Sequence, residues 1–296
     1  MSETIGEPAV SSSAETHATA TPAFTVITES DDYSVVEKPP LLLMHPTKPD
    51  GPPTLWSELG GLLAFEIANG GQVSIVNRLD RETSGLVLVA KTAFAARRFG
   101  LLMQEQRIAK EYLAIIWGWP SWERKTVNAP LARQGLHANS PIWLKQTIHP
   151  EGAPASTEFL VEQRFQRKTT AGERFSLVRA LPSTGRTHQI RVHLASLGHP
   201  IVGDKIYGPN EQHYLRFIET GWTRELEKAL LLPRHALHSA RLKLGDGEAW
   251  HSPLPRHLAD WLLPKVAAPG RRPWQSTRAP VLSPPWWRFP LSLKLS

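Results

Sequence analysis

Short apolar runs separated by polar turns dominate the middle of the chain, and this pattern predicts a protein built mainly of strands. The runs are rich in β-branched and aromatic residues, which favour the pleated surface of a sheet. The segment 24–40 predicts two strands on either side of the polar turn 29–32. Further strands are predicted within 85–92, 110–118, 155–165 and 174–181.

Three segments show the wider spacing of apolar residues that is typical of a helix facing a core. Within 186–200, Ile190, Leu194 and Leu197 recur at helical spacing. Gly198 suits the position just after this helix, because glycine tolerates the left-handed backbone found there. The other helices are predicted within 54–71, closed by a Gly-Gly pair, and within 92–106, with Thr92 as a candidate N-cap.

The two ends differ in composition from the region between them, which predicts three parts. Residues 1–23 contain few bulky apolar side chains and predict a disordered tail, whereas residues 24–265 predict the folded domain. Residues 266–296 are a Pro/Trp/Arg-rich extension, with four Arg, one Lys, three Trp, five Pro and no acid from Gly270 onward. The extension is either a basic, aromatic arm that binds phosphates and stacks on bases, or an irregular tail, and the composition favours the tail.

Charge and residue usage limit the class of protein. The chain has 296 residues, of which 41% are hydrophobic, and a formal net charge of +7. This basic balance favours an anionic partner, most commonly nucleic acid, although a basic protein without such a partner has the same composition. The absence of cysteine excludes disulfides, thiolate metal sites and cysteine nucleophiles. No apolar run reaches the ~18 residues of a membrane span and no signal peptide is recognisable, which predicts a cytoplasmic protein.

The segment 77–85, NRLDRETSG, places four ionisable residues directly before an apolar predicted strand. Loops held by a rigid scaffold are where catalytic groups concentrate, so these side chains are predicted at the rim of a cleft. Arg78 and Arg81 flank Asp80, and nearby cations keep a carboxylate ionised and available as a nucleophile or a base. The alternative is a surface turn in which the charges pair with each other.

The segment 77–92, NRLDRETSGLVLVAKT, resembles the signature of the RluA-type pseudouridine synthases, H-R-L-D-x-x-T-S-G. A second long match is STGRTHQIRVHLASLGHPIVGDKIYG over 183–208. Shorter matches, in the order of the family, occur at 35–47, 110–118, 152–161, 237–244 and 250–255. The resemblance covers residues 24–262 and implies an α+β fold. In that fold a mixed, mainly antiparallel sheet carries flanking helices and an active-site cleft along the sheet.

The resemblance implies an enzyme that isomerises uridine to pseudouridine within structured RNA, with no cofactor and no metal. The N-glycosidic bond breaks, the base turns, and carbon five of uracil bonds to the ribose. The target base must leave the stack, because the enzyme cannot reach that bond inside a helix. The detached base must then be held in a site closed to water while it rotates.

Four residues match those that the family places at the reacting nucleotide. Asp80 matches the catalytic aspartate, and the sequence leaves open whether it attacks the ribose or the uracil. Arg78 matches the arginine near the position that the flipped base vacates, where a flat guanidinium can stack and hydrogen-bond. Tyr112 matches the tyrosine beside the uracil ring, although an aromatic residue in a strand ordinarily belongs to a core. Arg191 matches the basic residue that pairs with the aspartate.

Further residues of the two motifs are assigned to RNA contacts. Arg81, Arg186 and His188 are predicted to bind RNA, with Arg186 near the start of the predicted helix. A metal is not predicted, because His188 and His193 are five positions apart rather than the four of a helical zinc pair, and no HExxH motif occurs.

Asn77 departs from the family pattern, which has histidine at this position. Asparagine cannot carry a proton charge, but it can donate and accept hydrogen bonds. We therefore expect a changed loop contact rather than lost catalysis, because Arg78 and Asp80 are both present.

The partner predicted for the chain is RNA, and both ribosomal RNA and transfer RNA stay open. The segment before residue 24 is too short for the S4 RNA-binding domain of many relatives, which predicts a short form of the family and favours small structured loops such as those of transfer RNA. The chain is expected to be a monomer. A non-catalytic RNA-binding or RNA-folding protein on the same scaffold is the alternative, and Asn77 is the feature that favours it. A small-molecule hydrolase is a remote third reading, because no nucleophile elbow or metal motif occurs.

Overall fold

A computed structural model describes residues 23–245 and 247–263 of the chain. The predicted C-terminal extension and the predicted N-terminal tail, apart from residue 23, lie outside the described residues.

Ten strands of the described residues form one large sheet, and two more form a separate hairpin. The strands are β1 Thr25–Glu29, β2 Tyr33–Lys38, β3 Ser74–Ile75, β4 Ser84–Ala90, β5 Ile108–Trp117, β6 Arg124–Asn128, β7 Leu131–Arg133, β8 Gln146–Ile148, β9 Ser156–Gln166, β10 Arg174–Pro182, β11 Leu237–Leu244 and β12 Ala249–His251. The large sheet has the order β1-β2-β4-β11-β5-β10-β9-β6, with β3 on β4 and β12 on β11, while β7 pairs with β8. The β4–β11 pair is parallel and the other pairs are antiparallel. The prediction of a mixed, mainly antiparallel sheet is confirmed.

Helices flank this sheet, and two of the three predicted ones are found where expected. The helices are α1 Leu55–Leu62, α2 Ala64–Ala68, α3 Ala93–Gln104, α4 Gln189–Ser196, α5 Gln212–Thr220, α6 Arg224–Leu230 and α7 Arg256–Leu262. Thr92 caps α3 by accepting a hydrogen bond from the backbone N–H of Ala95, and Gly198 follows α4 with a φ of 78°. Within the described ranges, no helix combines the length and the apolar character needed to cross a membrane.

The prediction of one helix over 54–71 is wrong, because two short helices occupy this segment. The first ends at Leu62 and the second begins at Ala64, with Leu63 between them at φ −98° and ψ 23°. Gly60 and Gly61 stand in the last turn of the first helix, and glycine is the weakest helix former after proline. A Thr54 capping box fixes the start of the first helix, so the helix begins as expected and stops early.

Strand β4 is the centre of the core, since all seven of its residues are buried. Val87 and Val89 belong to the cluster on one face of the sheet, and Leu86 and Leu88 belong to the cluster on the other face. Each fully buried Val or Leu side chain stabilises the fold by ~1.5–3 kcal/mol. The loop that precedes β4 is therefore attached to one of the most firmly held strands of the protein.

One row across the sheet brings the two sequence motifs to the same place. Gly85 pairs with Ser239 on β11, Ser239 pairs with Tyr112 on β5, and Tyr112 pairs with Ala180 on β10. The backbones approach so closely at Gly85 that a Cβ atom there would lie 2.2 Å from the carbonyl oxygen of Ser239. The first motif runs into the start of β4, and the second motif follows the end of β10. Both motifs therefore lie beside Tyr112 in this row.

Candidate active site

A cleft of about 560 Å³ opens where these segments meet. Its walls come from the loop before β4, from the first half of β5, and from the loop between β10 and α4. Asp80, Tyr112, Arg78, Arg186, His188 and Arg191 all line it. Six of the seven predicted site residues therefore share one cavity, and the two motifs, which are a hundred residues apart in the sequence, form a single site.

Arg191 holds Asp80 by an ion pair at the bottom of the cleft. Its Nη1 lies 2.8 Å from Oδ2 of Asp80. The remaining donors of the same guanidinium bind Asp204, with Nε 2.6 Å from Oδ2 and Nη2 2.9 Å from Oδ1. Oδ1 of Asp204 also accepts the backbone N–H groups of Ile206 and Tyr207, each at 3.0 Å. A two-point contact of this kind fixes the plane of the guanidinium, so its free edge is aimed at Asp80.

The exposure of the two carboxylates separates their roles. The side chain of Asp204 is fully buried, whereas 26% of the Asp80 side chain is exposed to the cleft. Asp80 is thus the carboxylate of this pair that a molecule in the cleft can reach. Asp204 is enclosed, and its contacts serve Arg191.

Opposing charges keep Asp80 ionised. Burial alone would raise the pKa of its carboxyl, but His188 and His235, which are protonated in the acidic range where Asp80 titrates, together with the charge and the hydrogen bond of Arg191, lower it to about 2. Asp204 follows the same pattern, since Arg191 overcomes the effect of burial and holds its pKa well below the ordinary value. At neutral pH one guanidinium faces two carboxylates, and the group carries a net charge of −1.

His188 lies beside Asp80 as a neutral side chain. Its Nε2 is 4.0 Å from Oδ2 of Asp80, and its Nδ1 is 2.8 Å from the hydroxyl of Tyr207. The Tyr207 hydroxyl also accepts the backbone N–H of Gln146 at 2.8 Å. When its own proton points at Nδ1, the imidazole carries its proton on Nε2, the nitrogen that faces Asp80. Burial, assisted by the charge of Arg191, lowers the pKa of His188 to about 4. The residue precedes α4 with a φ of 57°, a left-handed turn that directs the chain into the helix.

Tyr112 lies on β5 between Ser239 of β11 and Ala180 of β10, and it is buried. Burial and the negative charge of Asp80 raise the pKa of its hydroxyl far above the ordinary value, so the phenol stays protonated. Leu79, Ile190 and Leu237 add apolar surface to the same part of the cleft. The cleft therefore combines one charged carboxylate with an aromatic and aliphatic wall.

The arginines of the first motif do not play the part predicted from their position beside Asp80. Arg78 is exposed at the cleft, and the Nε of Arg81 donates to the carbonyl of Leu41 at 3.3 Å. The ion pair of Asp80 comes instead from Arg191, 111 positions along the chain. The prediction that flanking arginines keep Asp80 charged is corrected in this respect, because the ion pair and the hydrogen bond that stabilise the Asp80 carboxylate come from Arg191.

Arg186 is exposed at the cleft and is tied down at one point. It stands three residues before the first residue of α4, and its Nε donates to the carbonyl of Pro154 at 3.1 Å. The remaining nitrogens of its guanidinium are therefore placed at the mouth of the cleft by a fixed stem.

Asn77 is buried and joins the loop to β4. Its Oδ1 accepts the backbone N–H of Leu88 at 2.8 Å, and its Nδ2 donates to the carbonyl of Leu86 at 3.2 Å. The side chain thus imitates a strand residue and extends the pairing of β3 with β4 by one step. Asparagine supplies the donor and the acceptor that this contact needs.

The underside of the loop is held by residues that the sequence did not single out. Glu82 accepts a hydrogen bond from Nζ of Lys205 at 2.6 Å and from the backbone N–H of His235 at 3.1 Å. Nζ of Lys38, fully buried, donates to the carbonyl of Arg81 at 3.2 Å. The adjacent pair Asp204 and Lys205 stands in the apolar run PIVGDKIYG, and charged residues isolated among apolar ones are the signal that points to buried partners.

His188 and His193 point to different parts of the molecule. His193 is fully buried, with Nδ1 3.0 Å from the hydroxyl of Thr157 and Nε2 3.1 Å from the carbonyl oxygen of Ala129. Each histidine therefore has its own hydrogen-bond partners, and the two do not converge on a common point.

Comparison with known proteins agrees with this arrangement. The sequence profile of the RNA pseudouridylate synthase family matches residues 32–196. The ribosomal large subunit pseudouridine synthase D of Salmonella typhimurium is 35% identical over 248 residues, which cover 79% of this chain and 68% of that protein. The protein of the same name from Escherichia coli K12 is 34% identical with the same coverage.

Solved structures show the same fold. Human RNA Pseudouridylate Synthase Domain Containing 1 superposes with a TM-score of 0.59 at 26% identity, over 79% of this chain and 84% of the human one. Human RNA Pseudouridylate Synthase Domain Containing 4 superposes with a TM-score of 0.61 at 22% identity, over 79% and 90%, a likeness that concerns the fold alone.

The chain therefore belongs to the RNA pseudouridylate synthase family. Within it the chain is of the RluA type, as the two sequence motifs predicted. It is an enzyme that isomerises uridine in RNA, and the alternative of a non-catalytic RNA-binding protein is not favoured.

Proposed function

We propose that Asp80 is the group that attacks the target uridine, and that the target lies in the RNA of the large ribosomal subunit. The observation that carries the first part is the bridge from Asp204 through Arg191 to Asp80. It presents one ionised, partly exposed carboxylate in a cleft whose remaining lining combines apolar, neutral polar and basic side chains. Because Arg191 already holds the carboxylate in place, little free energy is needed to reorient it when the reaction begins.

The proposed reaction needs no co-reactant. The bond between N1 of uracil and C1′ of ribose breaks, a bond between C5 and C1′ forms, and the hydrogen of C5 is replaced by one on N1. Product and substrate have the same composition and the same oxidation level. The chain therefore has to supply only a carboxylate, a place for the detached base, and protection from water.

The uridine is proposed to enter the cleft by leaving its stack. A cavity of about 560 Å³ accommodates one nucleotide but not a helix, so the base must be extruded to reach Asp80. Arg78, exposed at the cleft, is proposed to occupy the position that the base vacates. Unstacking costs a few kcal/mol, and a guanidinium that stacks and hydrogen-bonds offsets part of this cost.

Tyr112 and its apolar neighbours are proposed to hold the detached uracil. An aromatic face attracts a planar base without fixing its angle in the plane, which permits the base to turn. The hydroxyl stays protonated next to Asp80 and adds no second negative charge. Arg81, Arg186 and His188 are proposed to contact the RNA around the extruded nucleotide, with Arg186 and His188 at the cleft itself.

The names of the relatives support a ribosomal target. Those at 34–35% identity are ribosomal large subunit pseudouridine synthases, which weighs against the expectation of a small transfer RNA loop. Action on ribosomal RNA agrees with the predicted cytoplasmic location, and the chain is proposed to act as a monomer.

The test is to incubate the purified protein with unmodified large-subunit ribosomal RNA and, separately, with transfer RNA. Pseudouridine is then mapped by carbodiimide modification and primer extension. We expect a modified uridine in the ribosomal RNA, and a loss of ~10⁴-fold in rate for Asp80→Asn with RNA affinity retained. Modification confined to transfer RNA would overturn the target, and a normal rate for Asp80→Asn would overturn the role of Asp80.

A further inference from the structure

Lys110 differs from the other buried lysines of the described residues in having no partner. Lys38 donates to three backbone carbonyls, Lys91 pairs with two glutamates, and Lys205 binds Glu82 and a carbonyl. Lys110 is only 7% exposed, yet no oxygen within residues 23–245 and 247–263 accepts a hydrogen bond from its Nζ. Buried lysine side chains are normally paired. Nζ of Lys110 is not one of the fully enclosed atoms that lack a partner, so its ammonium group still faces the open space of the cleft.

The unpaired ammonium group lies at the wall of the cleft. Lys110 is one of the residues that line the cavity, together with Asp80 and Tyr112. Burial lowers its pKa, and no neighbouring charge opposes this effect. A Cβ atom at Gly185 would lie 3.8 Å from Nζ, so the loop that passes over Lys110 has no side chain at this point. The site is open to an incoming group.

The distance between Lys110 and Tyr112 suits the sugar-phosphate backbone of one nucleotide. Lys110 and Tyr112 are two residues apart on β5, so their side chains point to the same face, ~6.6 Å apart along the strand. If the uracil lies against Tyr112, the ribose and the adjoining phosphate extend over this distance. Pro182 ends β10 two residues beyond the partner of Tyr112, which carries the loop with Gly185 and Arg186 over Lys110.

The group that fits this site is a phosphate rather than a uracil oxygen. A phosphate brings a full negative charge, which compensates a desolvated ammonium, whereas a neutral carbonyl compensates it only in part. RNA supplies one such charge for each nucleotide, and lysine binds phosphate as a point charge.

We propose that Nζ of Lys110 binds one phosphate of the RNA backbone next to the extruded uridine. This inference rests on the proposed function in its assumption that the uridine lies between Asp80 and Tyr112. It assigns Lys110 a task that the reaction itself does not need: it fixes the register of the strand, so that a single nucleotide is held over Asp80.

The first experiment measures binding without turnover, so that it is independent of which uridine is modified. The Asp80→Asn protein, with and without Lys110→Gln, is titrated with a short fluorescent oligouridylate at several salt concentrations. We expect Lys110→Gln to weaken binding about tenfold, or ~1.4 kcal/mol, and to reduce the slope of log K against log salt by ~0.7. Lys110→Arg should keep the affinity and the salt slope of the protein with Lys110. Lys168→Gln, in an exposed loop away from the cleft, should change the affinity and the slope by no more than the effect of one surface charge.

A second experiment locates the contact. Oligouridylates that carry a single neutral methylphosphonate at successive positions are bound to the same proteins. One position should weaken binding to the protein with Lys110 about tenfold and should have no further effect once Lys110 is replaced by glutamine. This pattern separates a phosphate contact from a general loss of structure.

Three results would overturn the inference: an unchanged salt slope in Lys110→Gln, additive effects of the glutamine and the methylphosphonate at every position, or, for Lys110→Gln in the protein that keeps Asp80, a fall in reaction rate with unchanged affinity. The last would place Lys110 on a uracil oxygen instead. A failure of the proposed function has a different signature, since it would leave Asp80→Asn as active as the unaltered protein.

Discussion

Arg191 and Asp204 share two hydrogen bonds, of 2.6 and 2.9 Å, inside the protein, and one further nitrogen of the same guanidinium reaches Asp80. The buried pair is thus not an isolated salt bridge. It is a rigid support that directs a positive charge at the one carboxylate of the group that is open to the cleft.

Replacing Asp204 by asparagine should damage both stability and activity. The change removes two hydrogen bonds from the buried guanidinium but leaves it paired with Asp80, so the loss should be smaller than the ~3–5 kcal/mol of a buried charge that loses its only partner. Because Arg191 would also turn toward Asp80, we expect a lower kcat as well. Urea unfolding and single-turnover rates check both effects. The exposed Asp31→Asn variant is the matched control, and an Asp204→Asn protein as stable as the control would contradict the support described here.

Stability should fall as the pH drops below ~6.5, before the carboxylates are protonated. Burial lowers the pKa of His188 and His238 to about 4 and that of His235 to about 3. Between ~6.5, the ordinary value, and these folded-state values the unfolded chain binds more protons, so each histidine removes ~1.4 kcal/mol per pH unit.

The lowered pKa values of Asp80 and Asp204 act only at more acidic pH. Their stabilising contribution is complete above the ordinary carboxyl value of ~3.9 and is lost as the pH falls through the folded-state values. Urea midpoints at successive pH values measure both ranges. The exposed His251→Gln variant should show the same slope between pH 6.5 and 4 as the unaltered protein. A flat profile over that range would show that the histidines are not buried in neutral form.

Asn77→Ala should destabilise the protein by ~1–3 kcal/mol. The change leaves the N–H of Leu88 and the carbonyl of Leu86 without their side-chain partner in a buried position. The loop that carries Asp80 should loosen with it, so the rate should fall while RNA affinity changes little. Asn139→Ala, at an exposed position, is the control. Equal unfolding midpoints for the two variants would show that the hydrogen bonds between Asn77 and β4 do not stabilise the protein.

Arg78→Ala should leave stability within ~0.5 kcal/mol, because the side chain is exposed. Its effect should depend on the RNA. If the guanidinium replaces the extruded base in the stack, the variant should lose far more activity on a stem-loop than on an unstructured strand, where nothing has to be unstacked. Rates on both substrates test this, with Arg224→Ala on α6 as the surface control. An equal loss on both RNAs would assign Arg78 to general phosphate binding.

Local pattern was sufficient for much of the fold. Six of the twelve strands (β1, β2, β4, β5, β9 and β10), the Thr92 cap of α3 and the end of α4 near Gly198 depend on neighbours in sequence, and they were predicted. The remaining strands, most of them short, were not. The break at Leu63 was missed because two glycines weaken a helix without forbidding it. Helices α5 and α6 were not predicted, since α5 has no buried residue and rests on partly buried contacts with the rest of the protein.

The residues of the candidate site were likewise predicted only in part. Asp80 was identifiable because its charged loop interrupts an apolar context, and Arg191 because the family motif includes it. The partner of Arg191 could not be predicted from spacing, since it is the fold that brings Asp204 next to the guanidinium. Lys110 was not singled out, although it begins the matching segment 110–118, because a lysine in a strand is ordinary until the structure shows what surrounds its ammonium group.

The shared guanidinium also restricts how this enzyme could lose its activity over evolution. If Asp80 is replaced first, Arg191 and Asp204 are left as a balanced neutral couple, and the scaffold survives. If Arg191 changes first, two carboxylates are left without their cation. If Asp204 changes first, Arg191 loses the two hydrogen bonds that hold its guanidinium in place, so the structure is destabilised in either case. Catalytically silent descendants that still bind RNA should therefore be recognisable by a substituted Asp80 beside an untouched Arg191 and Asp204.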